Sequence, residues 1–267
     1  MDHHGHQRTI EAVFLDIDGT IFYDGTLIES AKEAVRLLQR QNIRVALCTG
    51  RSILHTTEVQ QTLNISHATY FNGGLAISDG DVVLSSPMEE DVVQRAINFS
   101  ERNDIPIILH SLSRTLVFHP LPDKYLPIIE SFKYPPLQRV SRNEWTAAEE
   151  QIYQMNLFMS GTWDQKVQNE FPECLLYRWH DEAVDLQKRG CDKIHGATAL
   201  LHRWNISKER AMHIGDGGND IRMFQELGVS VAMGNATDEV KKHAKLETAP
   251  AYENGVYLAL KRLHLIP

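Results

Sequence analysis

The sequence predicts an α/β protein, in which a doubly wound parallel sheet is built from both ends of the chain and an α+β domain is inserted between them. Three observations predict it. Short apolar runs alternate with helix-spaced runs through residues 1–84 and again through 186–267. Residues 85–185 change character to runs of strands with few helices, and they hold most of the prolines, including Pro120, Pro122, Pro127, Pro135 and Pro136. Several apolar runs of the outer segments end abruptly in acids, glycines or a threonine, as strands do where an open α/β sheet binds its ligands.

The elements follow in order. Residues 12–15 are a short, wholly apolar run, the pattern of a strand buried on both faces. Residues 29–41 read as a helix, with Ala31, Ala34, Val35 and Leu38 at core spacing. A second buried strand covers 43–48, a helix 52–63 and a short strand 68–71, which Asn72-Gly73-Gly74 breaks. Residues 75–84, split by Asp79-Gly80-Asp81, read as a β-hairpin. In the inserted segment a helix over 92–102 is followed by strands over 105–110, 115–118, 152–160, 175–179 and 183–186. The last segment returns to alternation. An amphipathic helix over 192–204 aligns Ile194, Ala197, Leu200, Leu201 and Trp204, and a strand over 211–214 follows. A helix over 218–226, a strand over 229–233 and a helix over 254–263 with Val256, Ala259, Leu260 and Leu263 aligned complete it.

Composition narrows the class. A chain of 267 residues with 42% hydrophobic and 23% charged residues has the make-up of a soluble globular protein. No apolar run approaches membrane-spanning length and no signal peptide opens the chain. The histidines of Met1-Asp2-His3-His4-Gly5-His6 read as a solvated tail, since nothing nearby fixes metal geometry. Three cysteines, Cys48, Cys174 and Cys191, are odd in number and widely spaced, which argues for reduced thiols in a cytoplasm. A net charge of −8 disfavours a nucleic-acid partner, although one metal ion and one lysine suffice to hold a small anion. Nothing in the sequence bears on oligomeric state.

The strand at 12–15 runs into Asp16-Ile17-Asp18-Gly19-Thr20. Ionised carboxylates at the end of a buried strand cost free energy unless a cation or donors meet them. A simple Asx turn would explain the pair alone. An EF-hand loop would not, because its sixth and twelfth positions would be Ile21 and Leu27 instead of Gly and Glu.

Three further motifs lie at strand or helix ends. Thr49-Gly50-Arg51 follows the second strand, Lys193 opens a helix, and Gly215-Asp216-Gly217-Gly218-Asn219-Asp220 follows the strand over 211–214. Each has a bland reading: a strand exit, a solvated lysine, a tight turn, and for Arg51 a pair with a surface acid. Gly215-x-Gly217-x-x-Asp220 lacks the third glycine of a dinucleotide fingerprint. Jointly they suit a phosphoryl site. Asp16, Asp216 and Asp220 form an all-oxygen cluster fit for Mg²⁺, and a helical start would aim Asp216 and Asp220, four apart, to one side. Thr49 supplies a hydroxyl, Gly50 close backbone approach and Lys193 a cation.

With these four motifs in this order, the chain resembles the haloacid dehalogenase superfamily of phosphatases. More narrowly it is similar to the Cof-type subfamily, on Asn72-Gly73-Gly74, Val231-Ala232-Met233-Gly234-Asn235-Ala236 and Glu253-Asn254-Gly255-Val256. The resemblance implies a Rossmann-like core over 1–84 and 186–267 and an inserted cap domain over 85–185. It implies that Asp16 is the nucleophile and Asp18 the acid and base. Thr49, Gly50, Lys193 and Asn219 would hold the phosphoryl oxygens. Mg²⁺ would be held by Asp16, the Asp18 carbonyl and Asp216, with Asp220 in support. One departure is that Gly196, not the residue after Lys193, carries the glycine often seen there.

The activity so implied is a Mg²⁺-dependent phosphatase acting on a small phosphorylated metabolite, a sugar phosphate or similar, through an aspartyl phosphate. A phosphomutase on the same fold also uses both aspartates and stays open, as does a non-catalytic phosphometabolite-binding regulator. A receiver domain is far shorter, and a dehalogenase has no need of Asp18. The cap is expected to choose the substrate, with His110, Arg114, His119, Arg178, Trp179 and His180 as candidates to meet the leaving group.

Overall fold

The structure is a computed structural model that describes residues 10–267; the histidine-bearing tail lies outside the described residues. Its larger sheet has eight strands in the order Leu246–Glu247, Val229–Ala232, Ala211–Gly215, Ala12–Leu15, Arg44–Cys48, His67–Tyr70, Leu75–Ser78 and Asp81–Ser85. The first six are parallel, and the last two form an antiparallel hairpin at the edge.

Ala12–Leu15 lies in the interior of the sheet and is wholly buried, as its unbroken apolar run requires. Its side chains alternate between two cores. Val13 and Leu15 pack with the helices Glu29–Arg40 and Gly255–Arg262, whereas Ala12 and Phe14 pack with Lys193–Trp204 on the other face. Helix Lys193–Trp204 begins where the Asp192 side chain accepts the His195 N–H at 3.2 Å, and it ends on Asn205 in the left-handed region.

The smaller sheet has six strands in the order Leu137–Arg139, Thr115–Val117, Ile107–His110, Gln154–Leu157, Ala183–Lys188 and Cys174–His180. It is antiparallel except for its first pair. Leu109, Met155, Leu157, Val184 and Leu186 face a core shared with helix Glu90–Asn103 and with Val167 of helix Asp164–Glu170. Period-two alternation therefore turns His110, Gln154, Asn156 and Asp185 to the opposite face. Strand Ala183–Lys188 runs past the boundary expected at residue 185, because Gln187 and Lys188 stay paired with Leu175 and Cys174. The strand ends at Lys188, and Gly190, whose φ is +86°, lies in the turn that follows.

Other differences have local causes. The helix expected over 218–226 is a 3-10 turn, Gly218–Asp220, followed by helix Ile221–Glu226. Helix Leu126–Ser131 escaped the sequence reading because Pro127 reads as a breaker, yet it occupies the first turn, where no intrahelical N–H bond is lost. Phe22–Tyr23 and Thr26–Leu27 form a small hairpin turned on Asp24 and Gly25, both at positive φ. Among the described residues no helix is long and apolar enough to cross a membrane.

Candidate active site

Three adjacent parallel strands end side by side, so Asp16, Thr49 and Asp216 leave the sheet at one edge. The smaller sheet stands over that edge, and a cleft of about 400 Å³ separates the two. Of the residues expected in the site, Asp16, Asp18, Gly50, Asp216 and Asn219 line the cleft. Thr49, Lys193 and Asp220 are buried and bonded to the lining residues.

Lys193 is fully buried, with Nζ 2.8 Å from Asp16 Oδ1 and 2.7 Å from Asp220 Oδ1. Burial disfavours its charge, but the two carboxylates outweigh burial and raise its pKa. Asp220 has no exposure and both its oxygens are engaged. Oδ1 meets Lys193 and His213 Nε2, the latter at 2.8 Å, and Oδ2 accepts the N–H groups of Asp216 and Gly217 at 3.0 and 2.9 Å. Burial pushes Asp220 up, but Lys193 and His213 bring it below the usual carboxylate range. A common helical face for Asp216 and Asp220 was expected. Instead Asp220 folds back over the 3-10 turn and fixes the loop that carries Asp216.

Asp216 accepts from Asn235 Nδ2 at 3.1 Å, and the same amide donates to the Gly19 carbonyl at 2.9 Å. Burial, then the neighbouring Asp220 charge, push Asp216 up to about 7. Asp16 is also raised well above its ordinary value, by burial first, with Lys193 pulling down and Asp220 and Asp216 pushing up. Oxygens of Asp16, Asp216 and Asp220 lie within 4.8 Å of one another. Three hard oxygen donors in one cluster, two of them on one ammonium, suit a small divalent cation, whose charge would offset the repulsion that raises Asp16 and Asp216. With Asp220 engaged by four donors, Asp16 and Asp216 are the members of this trio that face the cleft.

Gly19 sets the approach of Asp216. Its φ is +68°, and a Cβ there would stand 2.1 Å from Asp216 Oδ2. No residue with a side chain fits this turn without moving the acid.

Arg51 pairs with Asp18, not with a distant surface acid. Its Nε and Nη2 donate to the two Asp18 oxygens at 2.8 and 2.6 Å, and its side chain is 6% exposed. The guanidinium also lies 4.7 Å from the centre of the Phe22 ring, which the small hairpin places beneath it. Burial raises Asp18, but the Arg51 hydrogen bonds outweigh it and leave the carboxyl below the usual range.

Thr49 Oγ1 accepts the Arg51 N–H at 3.1 Å, and the Thr49 carbonyl accepts the Asn72 N–H at 3.0 Å. Asn72 was read as part of a strand break and of the Cof-type resemblance, with no role in the site. Its amide oxygen accepts Asn219 Nδ2 at 2.8 Å, and its Nδ2 donates to Gln187 Oε1 at 2.9 Å, so it joins the Gly218–Asp220 turn to the smaller sheet. The signal for it was present in Asn72-Gly73: Asn72 has φ +51° and Gly73 φ +95°. A Cβ on Gly73 would meet the Asp192 carbonyl at 1.9 Å, just ahead of Lys193. Asn235 lay within a quoted motif without a role, and His213 carried no signal beyond one polar residue in a buried strand.

On the smaller sheet His110, Arg178 and Trp179 line the cleft as expected. Arg114 does not, since its guanidinium is held by Glu150. His119 is exposed, and His180 accepts the Glu182 N–H through Nδ1.

A family model described as haloacid dehalogenase-like hydrolase matches residues 13–260. The protein named "Putative phosphatase YkrA" of Bacillus subtilis (strain 168) is 30% identical over 260 residues, covering 95% of this chain and 98% of its own. The 5-amino-6-(5-phospho-D-ribitylamino)uracil phosphatase YitU of the same organism is 25% identical over 268 residues, 93% of this chain and 96% of its own. The solved structure of the HAD subclass IIB sugar phosphatase BT4131 superposes with a TM-score of 0.86 at 28% identity, covering 96% of this chain and 100% of that one.

Proposed function

From the premise that the chain belongs to the haloacid dehalogenase-like hydrolases and is a Cof-type phosphatase, we propose that it hydrolyses a small phosphorylated metabolite through an aspartyl phosphate on Asp16. The observation that carries this reading is the convergence of Asp16, Asp216 and Asp18 on one cleft, with Lys193 buried against Asp16.

In the first step an Asp16 oxygen attacks phosphorus, the bond from phosphorus to the leaving oxygen breaks, and Asp18 delivers a proton to that oxygen. In the second step Asp18 takes a proton from water, whose oxygen attacks the aspartyl phosphate. Phosphate leaves and Asp16 is regenerated. Arg51 holds Asp18 in the charged form that the second step needs. The first step needs Asp18 protonated, so substrate entry has to loosen that pair. Gly50 and Asn219 border the space for the phosphoryl oxygens, and Thr49 fixes the Gly50 loop through the Arg51 N–H. Lys193 offsets charge at Asp16.

Mg²⁺ would be held by Asp16, Asp216 and the Asp18 carbonyl, with Asp220 fixing the loop behind them, and would neutralise charge on the phosphoryl oxygens. The names of YitU and BT4131, a phosphatase of a ribitylamino compound and a sugar phosphatase, support a substrate of metabolite size.

Phosphate release from para-nitrophenyl phosphate with Mg²⁺ tests the reading. Asp16→Asn should abolish it, and full activity in that variant would remove Asp16 as nucleophile. EDTA should inhibit and added Mg²⁺ restore turnover, whereas metal-independent turnover would remove the metal. With a sugar phosphate, free phosphate in the product separates hydrolysis from a mutase, which would yield an isomer.

A further inference from the structure

The wall of the cleft opposite the aspartates has a chemistry of its own. The pairing of the smaller sheet sets His110 opposite Gln154, Asn156 opposite Asp185, and Tyr177 opposite Asp185, all on the face that lines the cleft. His110, Gln154, Asn156 and Asp185 are each less than a tenth exposed. Buried polar side chains in such number cost stability unless they are paired or serve a ligand.

Their bonding shows what they offer. Asn156 Oδ1 accepts from His110 Nε2 at 2.5 Å and from the Tyr134 hydroxyl at 2.9 Å, and Asn156 Nδ2 donates to Asp185 Oδ1 at 2.6 Å. That pattern puts the His110 proton on Nε2 and leaves Nδ1 an acceptor. His110 Nδ1 and Gln154 Oε1 are both buried without a partner. Asp185 Oδ2 takes a 3.4 Å contact from Asn72. The wall therefore carries two buried acceptors without a partner, His110 Nδ1 and Gln154 Oε1, and one buried donor without a partner, Trp179 Nε1, all beside Asp185, which Asn156 meets at 2.6 Å; hydroxyl groups, which both donate and accept, suit that set. Burial, partly offset by the Asn156 bond, lowers His110 to about 4, so it brings no positive charge at neutral pH.

The cations of the cleft are already engaged. Arg51 is taken by both oxygens of Asp18. Arg178 is taken by both oxygens of Asp164 and by the carbonyls of Met159, His180 and Asp181. A second anionic group at this end would meet Asp185 with no cation left to pair with it. Trp179 and Tyr134 also line this end and add flat apolar surface against which a ring can lie.

We propose that the wall centred on Asp185 selects the leaving group, admitting an uncharged group rich in O–H or N–H donors, such as a sugar or polyol, and refusing one that carries a second phosphate. The proposal rests on the phosphatase reading above, and it makes Asp185 a specificity-determining residue. The buried acceptors reject a group that cannot donate, because they then stay unpaired.

The test compares kcat/KM with Mg²⁺ for three probes: para-nitrophenyl phosphate, a hexose 6-phosphate, and the matching hexose 1,6-bisphosphate. Turnover of para-nitrophenyl phosphate decides the phosphatase reading alone, and its absence would overturn that reading whatever the sugar results. Given turnover, the wild type should prefer the hexose monophosphate over the bisphosphate by at least about tenfold. Asp185→Asn should bring that ratio down by about tenfold, through KM for the monophosphate more than through kcat. Equal or faster bisphosphate turnover, or an unchanged ratio in a folded Asp185→Asn, would overturn the proposal. If the variant does not fold, Gln154→Leu, which removes a second acceptor, is expected to lower the same ratio, and no change there would overturn it as well.

Discussion

Replacing Gly19 by alanine tests whether the turn after Asp18 sets the position of Asp216. The new Cβ would lie 2.1 Å from Asp216 Oδ2 and 2.6 Å from its Cγ. Side-chain carbons are not found closer than about 3.0 Å to such an atom, so the carboxylate has to retreat by about 0.9 Å. Retreat strains the contact with Asn235, which holds the same oxygen at 3.1 Å while bonding the Gly19 carbonyl at 2.9 Å. An error of about 1 Å in a positioned group costs about 10²-fold in rate. Holding alanine at φ +68° adds about 1–2 kcal/mol of backbone cost. The assay is para-nitrophenyl phosphate turnover across a Mg²⁺ titration. Gly19→Ala should lose about 100-fold in kcat/KM and need about tenfold more Mg²⁺ for half-saturation. Gly80→Ala is the control. Its φ is +86° and a Cβ there meets nothing within 4 Å, so it carries the backbone cost without touching the site. A Gly19→Ala enzyme with wild-type rate and Mg²⁺ dependence would refute the argument that residue 19 fixes Asp216.

Two more outcomes follow from the buried charges. Lys193→Met should lose activity and about 3–5 kcal/mol of stability, since Asp16 and Asp220 then share a buried site without their cation; an unchanged thermal midpoint would contradict this. Burial, partly offset by hydrogen bonds, pushes Asp185 up to about 7. A carboxyl raised above its unfolded value of about 3.9 binds its proton more readily in the folded state, so its stabilising contribution is present at low pH and is lost as pH rises toward 7. Asp185→Asn should therefore exceed the wild type in stability at pH 8, by up to about 4 kcal/mol, with the gap closing toward pH 4. Urea unfolding at pH 8 and pH 5 checks it, and a gap that widens at pH 5 would count against it.

The parts of the site that were legible in the sequence are those written in short contiguous stretches. Asp16 and Asp18 stand at the end of an apolar run, Thr49-Gly50 at the end of another, and Asp216 to Asp220 in one glycine-rich turn. Their convergence followed from the rule for parallel strands, which needs only the order of elements. The relations that were not legible span long separations. Asn235 reaches Gly19, Asn219 reaches Asn72, and Asn72 reaches Gln187. Nothing local distinguishes such an asparagine from one in an ordinary turn. Arg51 was noticed, but its partner depends on the hairpin that brings Phe22 beneath it. The same holds in the smaller sheet. Alternation makes His110 and Asp185 polar positions on one face, yet which face meets the aspartates is decided by where helix Glu90–Asn103 packs.

The place of strand Ala12–Leu15 has a consequence for how the molecule comes into being. This strand leaves the ribosome well before one of its two neighbours in the sheet, Ala211–Gly215. The Asp16 N–H donates to the Ile214 carbonyl at 3.0 Å, so Asp16 is not seated until the chain has been made past residue 214. The smaller sheet, whose strands all lie between Ile107 and Lys188, contains every partner it needs earlier in synthesis. Contacts of such unequal span order the folding of the two sheets, the local one first. A nascent chain arrested before residue 211 would then present the smaller sheet complete and Asp16 without its seat.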